Sequence, residues 1–154
     1  MQPTLLVVAH PDDEALGAGG LLTRLTNARI VIVTDGAPRD GVAARAAGFD
    51  GNAAYRRARE IETADAMTLI GRGDIPVYRL GFSDQQAVTN IPRIVSRLME
   101  IMRAENFRYV VTHPYEGGHP DHDATALAVH AACFLLREDG FEAPLPVEMT
   151  SYHL

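Results

Sequence analysis

Two short segments carry most of the chemistry legible in this chain. One is His10-Pro11-Asp12-Asp13-Glu14 and the other is His119-Pro120-Asp121-His122. In each, a histidine is followed three residues on by a second side chain able to bind a metal, Asp13 in the first and His122 in the second. The turn between them begins with proline, so both side chains can face one point. Two His and one Asp gathered from such turns, with a fourth position open, are the usual make-up of a catalytic zinc site. Each segment alone has a plainer explanation. Asp12, Asp13 and Glu14 sit where a helix begins and would offset the positive end of its dipole. A lone histidine is more often a satisfied loop residue than a ligand. The plain explanations weaken because both segments follow buried strands.

The elements that must position these residues alternate along the chain. Residues 4–9, 29–34, 75–80 and 109–112 are apolar and β-branched enough for buried strands, and residues 145–149 suit an edge strand. Residues 15–26, 52–70, 89–105 and 123–137 carry helical periodicity. Thr89 or Asn90 is available to cap the third helix, whose first turn tolerates Pro92. Strands alternating with helices imply βαβ units. The expected fold is therefore α/β, a single Rossmann-like three-layer domain over residues 1–154 with a mainly parallel sheet flanked by helices. Ligands of such sheets bind at the carboxyl ends of the strands, and both His/Asp segments fall there. Residues 35–51, rich in Gly and Ala with arginines, read as a long loop at the same edge.

Composition narrows the function classes. The 154 residues suffice for one core, and 47% hydrophobic with 22% charged residues is ordinary for a globular chain. The formal net charge is −6 and the basic residues form no run, which argues against a nucleic-acid or anionic-membrane surface. No apolar run approaches membrane-spanning length and the amino terminus lacks the pattern of a signal peptide, so a cytoplasmic location is the default expectation. Cys133 is the single cysteine and lies in an apolar helical stretch, which suits a small packing residue.

Other motifs carry less. Gly17-Ala18-Gly19-Gly20 fits a dinucleotide fingerprint poorly, because Leu22 stands where the third glycine belongs and the preceding acids would repel a phosphate. Its small residues suit close helix-sheet packing. His130 lies two helical turns beyond His122, roughly 12 Å along the axis, too far to share an ion. His113 directly follows a strand and is placed to line the cleft.

Ala9-His10-Pro11-Asp12-Asp13-Glu14 and Gly118-His119-Pro120-Asp121-His122 closely resemble the paired signatures of the LmbE-like, or PIG-L-like, zinc-dependent deacetylases. These are amide hydrolases acting largely on N-acetylglucosamine-type sugars and their conjugates. Val33-Thr34-Asp35-Gly36, Arg57-Ala58-Arg59-Glu60 and Leu80-Gly81-Phe82-Ser83-Asp84 are similar to the family's second-strand end, helix-borne Arg-x-x-Glu and third-strand turn. The resemblance implies one zinc ion held by His10, Asp13 and His122. It implies Asp12 as general base, His119 as proton donor or oxyanion stabiliser, and Asp121 as the residue that orients His119. Arg57 matches the substrate-contacting arginine, with Arg56 and Arg59 offering competing registers. The implied partner is a small-molecule N-acyl amino-sugar or conjugate.

The chemistry is coherent. Zinc acidifies its water toward a pKa of ~7 and polarises the carbonyl. Asp12, beside a ligand but free, can take the water's proton, and an imidazolium at His119 can protonate the leaving amine. Two features depart from the family pattern. Gly117 stands where some relatives carry an oxyanion-binding tyrosine, for which Tyr115 or the Gly117-Gly118 backbone would substitute. The carboxyl-terminal part reads as shortened, since Glu148-Met149-Thr150-Ser151-Tyr152-His153 resembles a strand after which relatives continue. A sheet edge left uncovered there predicts a homo-oligomer. Two alternatives stand beside the deacetylase reading. A phosphoesterase would want a second metal or a basic clamp, for which only Arg39 and Arg45 are available. A non-catalytic sugar-binding relative would be expected to lack Asp12 or His119, and both are present.

Overall fold

The structure, a computed structural model, describes residues 2–150. The apolar runs become five strands, β1 (Thr4–Val8), β2 (Ala28–Thr34), β3 (Val77–Phe82), β4 (Tyr109–Thr112) and β5 (Leu145–Glu148). They form one sheet in the order β3-β2-β1-β4-β5, and every pair is parallel. The helices are α1 (Asp13–Leu22), α2 (Val42–Ala46), α3 (Asn52–Leu69), α4 (Ile91–Ala104) and α5 (Pro120–Glu138).

Alternation along the strands sorts the core into two layers. Leu5, Val7, Val31, Val33 and Val110 face Ile94, Leu98, Val129 and Leu136 of α4 and α5. Leu6, Val8, Ile30, Ile32 and Val111 face Ala18 and Leu22 of α1 and Met67 of α3. The expected three-layer α/β architecture is thus present. All five residues of β1 are buried. Full burial of a Leu or Val side chain contributes about 1.5–3 kcal/mol, so β1 is a rigid support for whatever follows it. The strand order turns back on itself between β1 and β4. This is the point where the loops of an open parallel sheet diverge and leave a crevice, and His10 and His119 lie in the two loops that flank it.

Several boundaries differ from the sequence expectation. The first helix starts at Asp13 rather than Ala15 and the fifth at Pro120 rather than Asp123, so Asp13 and His122 lie in first helical turns. At α5 the helix-breaking reputation of proline hides the start, since proline is favoured in the first turn. Residues 35–51 are not all loop, because α2 forms within them. Of the expected carboxyl-terminal strand, β5 ends at Glu148, and residues 151–153 lie outside the described residues. Gly17 does pack closely, since a Cβ there would sit 2.6 Å from Met149 Sδ, whereas Gly19 and Gly20 face open space. Cys133 is buried in the α4/α5 layer, and burial pushes its thiol up to about 11. No helix among the described residues is long and apolar enough to cross a membrane.

Candidate active site

The site is built outward from Ala9, the residue that leaves β1. Its carbonyl accepts both the backbone N–H and the hydroxyl of Thr34 at the end of β2, at 2.8 and 2.9 Å. Its N–H donates to Nε2 of His113 at the end of β4, at 3.0 Å. Neighbouring strands on both sides thus hold the peptide that presents His10. The His10 N–H donates to Asp13 Oδ2 at 2.8 Å, which closes the Pro11-Asp12 turn.

This turn and the start of α5 bring three ligand-type atoms together. His10 Nδ1, Asp13 Oδ2 and His122 Nε2 form a triangle whose three edges are each 3.3 Å. Tetrahedral coordination with bonds of about 2.0–2.1 Å requires ligand-ligand edges of about 3.3–3.4 Å. The triangle therefore has the edge lengths of three positions in a tetrahedral site of that size. Ligand-type atoms also gather within 4.8 Å in three overlapping groups, His10 with His119 and His122, Asp13 with His113 and His122, and His10 with Asp84 and Asp121.

The electrostatics favour a cation at this point. Burial alone would lower the His10 pKa, but the carboxylates of Asp121, Asp13 and Asp84 outweigh it and raise the value to about 11. Burial works against the Asp13 carboxylate too, yet contacts with His10, His113 and His122 hold it well below the usual range. The cluster thus holds a proton on His10 where a divalent ion would place its charge. The second nitrogen of His10 lies 3.1 Å from Asp84 and 3.3 Å from Asp121. A carboxylate behind a ligating histidine fixes its ring and raises its basicity.

In the sequence Asp84 stands only as part of the third-strand turn, and tertiary structure brings it to His10. Asp35 places it. The Asp35 N–H donates to the Phe82 carbonyl at 2.8 Å, and its Oδ1 accepts the Asp84 N–H at 3.1 Å.

Asp12 stands outside the triangle. Its backbone is left-handed, with φ 105°, and its side chain is half exposed. Its Oδ2 accepts from Arg59 Nη2 at 2.6 Å. Partial burial raises the Asp12 pKa, and Arg59 opposes that rise. Arg59 also donates to the Pro11 carbonyl at 2.7 Å and pairs with Glu62. The arginine that meets Asp12 is thus Arg59 and not the Arg57 expected from the sequence. Arg57 is exposed and lines a surface hollow with Arg56, Glu60 and Arg79. Two residues along a helix turn a side chain through roughly 200°, so Arg59 points to the site when Arg57 does not. Arg59 and Glu62 have the same Arg-x-x-Glu spacing, which was the available signal.

His119 caps α5, and its Nδ1 accepts the Asp121 N–H at 3.2 Å. That leaves Nε2 to carry the proton of the neutral ring. Burial lowers the His119 pKa, and the charges of His10 and His122 lower it further. The expected pairing of Asp121 with His119 therefore runs through the backbone. The Asp121 carboxylate instead accepts the N–H groups of Gln85 at 2.6 Å and Ala87 at 3.0 Å and faces His10. His113, expected to line the cleft, is fully buried beneath His122, its ring stacked at 3.9 Å. Its Nε2 lone pair is used by Ala9. At the position of the missing tyrosine, the N–H groups of Glu116 and Gly117 both donate to Asp123 Oδ1 at 3.1 Å. Tyr115 is exposed and lines a hollow of about 340 Å³ with Val88, Ile91, Pro120 and Leu127. Of the two loop arginines, Arg39 donates to Ser83 beside Asp84, at 3.3 Å, and Arg45 lies against Gly41. His130 is on the surface of α5, 3.2 Å from Glu148.

Comparison with known proteins bears on the family and the fold. The family described as PIG-L, GlcNAc-PI de-N-acetylase, matches residues 5–133. A 1D-myo-inositol 2-acetamido-2-deoxy-alpha-D-glucopyranoside deacetylase 2 from Saccharopolyspora erythraea is 33% identical, over 92% of this chain and 59% of its own length. A probable N-acetyl-alpha-D-glucosaminyl L-malate deacetylase 2 from Bacillus cereus is 32% identical, over 81% of this chain and 58% of its own length. Among solved structures, the N,N'-diacetylchitobiose deacetylase from Pyrococcus horikoshii superimposes with a TM-score of 0.75 at 20% identity, covering 98% of this chain and 61% of that one. This last likeness concerns the fold. The chain spans a little under three fifths of the length of these curated relatives.

Proposed function

The chain belongs to the PIG-L family of GlcNAc-PI de-N-acetylases, and from that membership we propose that it is a zinc-dependent hydrolase that removes an N-acetyl group from a small amino-sugar conjugate. The observation that carries the reading is the 3.3 Å triangle of His10 Nδ1, Asp13 Oδ2 and His122 Nε2, with Asp12 and His119 beside it. The relatives named for inositol- and malate-linked glucosaminides suggest the substrate class, an N-acetylglucosamine with a polar aglycone.

His10, Asp13 and His122 would hold the ion. When bound, zinc supplies an acidified water and a Lewis acid for the amide carbonyl. The chain's own groups do the rest. Asp12 takes a proton from the attacking water as its oxygen bonds to the carbonyl carbon, and Arg59 holds that carboxylate in place. His119 offers its Nε2–H to the carbonyl oxygen as negative charge develops there. As the C–N bond breaks, the proton held by Asp12 passes to the leaving nitrogen, which gives a free amine and acetate. A neutral His119 suits donation to an oxyanion better than delivery of a proton, and a divalent ion beside it would depress its basicity further. The structure thus favours the oxyanion role over the acid role of this residue.

The test is metal analysis of the purified chain together with amine release from N-acetylglucosamine linked to inositol, to malate and to a neutral alkyl group. About one zinc per chain and release from at least one conjugate are expected. Full zinc with no amine from any conjugate would sink the reading.

A further inference from the structure

Glu14 is the acid of the first segment that this mechanism does not use, and its setting is unlike that of a residue placed only to offset a helix dipole. Such a residue needs no burial, yet Glu14 is 0% exposed. Its Oε2 accepts the Asp12 N–H at 3.0 Å. Its Oε1 is buried with no hydrogen-bond partner among the described residues, and Glu14 borders a cavity of about 160 Å³ together with Asp12, Arg59 and Thr63. A buried carboxyl oxygen left without a partner is destabilising. A sequence retains such a cost where the group does something apolar packing could not.

The backbone of Asp12 supplies the reason. With φ 105° and ψ −28° it occupies a strained region that non-glycine residues rarely adopt. Its carbonyl accepts the N–H groups of Ala15 and Leu16 at 2.9 and 3.0 Å, so that end of the residue belongs to α1. The N–H on the other side points back under the turn and meets Glu14. A relaxed Asp12 backbone would swing the carboxylate away from Arg59 and from the triangle, where displacement by about 1 Å can cost 10²-fold in rate.

We infer that Glu14 is a positioning residue for the general base, holding the Asp12 peptide in its strained conformation by accepting the Asp12 N–H. The role rests on the proposed deacetylase reading for its kinetic consequence, but not for its structural one. The acceptor oxygen is the operative group, and the side chain touches neither the ion nor the substrate.

Three variants of the zinc-loaded chain test this. Glu14→Gln keeps an acceptor oxygen at the same reach, whereas Glu14→Met keeps the length and volume without it. E14M should lose ~10²-fold in kcat with KM and zinc content unchanged, and E14Q should retain kcat within about threefold. Amide hydrogen exchange at Asp12, followed by NMR, should speed up at least ~10-fold in E14M and little in E14Q. Equal losses in E14M and E14Q, or parental kcat and exchange in E14M, would overturn the inference. If E14M does not fold, Glu14→Asp decides. Its shortened carboxylate cannot reach the Asp12 N–H, so kcat should fall ~10-fold or more, and unchanged kcat overturns the inference. If the parent chain releases no amine at all, the deacetylase reading fails, and the exchange measurement alone judges Glu14.

Discussion

Residues one or two positions apart do different jobs here because each reaches a different partner. Asp13 Oδ2 sits 3.3 Å from two imidazole nitrogens, whereas the neighbouring Asp12 carboxylate is turned to Arg59. Asp12→Asn should therefore keep its zinc while kcat falls by ~10²-fold or more, as metal analysis beside steady-state kinetics will show. His119→Ala should also keep zinc and lose ~10²-fold in kcat, the usual cost of one oxyanion donor. Because His119 is held neutral by burial and adjacent positive charge, its removal should leave the shape of the pH-rate profile unchanged. Loss of the alkaline limb in that variant would restore the imidazolium-acid role. The two arginines make a paired comparison. Arg59→Gln should lower kcat by ~10-fold or more through loss of the Asp12 contact, and Arg57→Gln should change kcat by less than about twofold. Equal effects would show that the direction of the α3 face does not matter.

At the scale of elements, the loops after β1 and β2 lean on one another. Gly36 has φ +63°, and a Cβ placed there would lie 2.9 Å from Cδ of Pro11, a ring that cannot rotate away. Gly36→Ala must therefore bear a left-handed alanine, about 1–2 kcal/mol, and must also push the Pro11 turn that carries His10 and Asp13. Thermal unfolding should show the stability loss, and zinc affinity should fall at least ~10-fold because two ligands move together. An unaltered affinity would mean that the turn is held by Ala9 alone. The start of α5 works in a similar way. Pro120 sets the first turn and His119 caps it, so one turn of helix presents both His119 and His122 to the site.

For the whole molecule, the charges buried at the site couple stability to pH. In the metal-free chain His10 keeps its proton up to about 11 rather than 6.5, so its contribution is complete below pH 6.5 and is lost as pH climbs through the folded value. His113 and His119 are shifted downward, so their contribution is present above 6.5 and is lost as pH falls. The Tm of the metal-free chain should therefore peak near pH 6.5. Zinc bound at His10 would have to displace this proton, so its stabilising effect should grow with pH. Thermal scans with and without zinc from pH 5 to about 9 check both. A metal-free Tm that rises steadily above neutral pH would contradict the first. Among the described residues β5 is the outermost strand of the sheet, and it exposes Leu145 and Val147 at 54% and 42%. An edge strand with apolar side chains is a template for pairing, and self-association through it is expected in light scattering at tens of micromolar. A strictly monomeric species there would count against that.

The sequence by itself determined the parallel three-layer fold and the gathering of the two His/Asp segments at one end of the sheet. Both rest on local periodicity and on the rule that open parallel sheets bind at their carboxyl edge, neither of which needs a distance. The short spacing of His10 and Asp13 also made their convergence readable. The tertiary structure decided the rest. Asp84 reaches His10 because Asp35 ties the end of β3 to that of β2, and His113 supports Ala9 because β4 lies beside β1. Arg59 rather than Arg57 meets Asp12 through the rotational phase of α3, and the carboxylate of Asp121 turns to His10 because Gln85 and Ala87 offer it two N–H groups. Each of these contacts joins distant parts of the chain. Strand register and helix phase set them within an ångström or two, and residue type and spacing do not encode either at that precision.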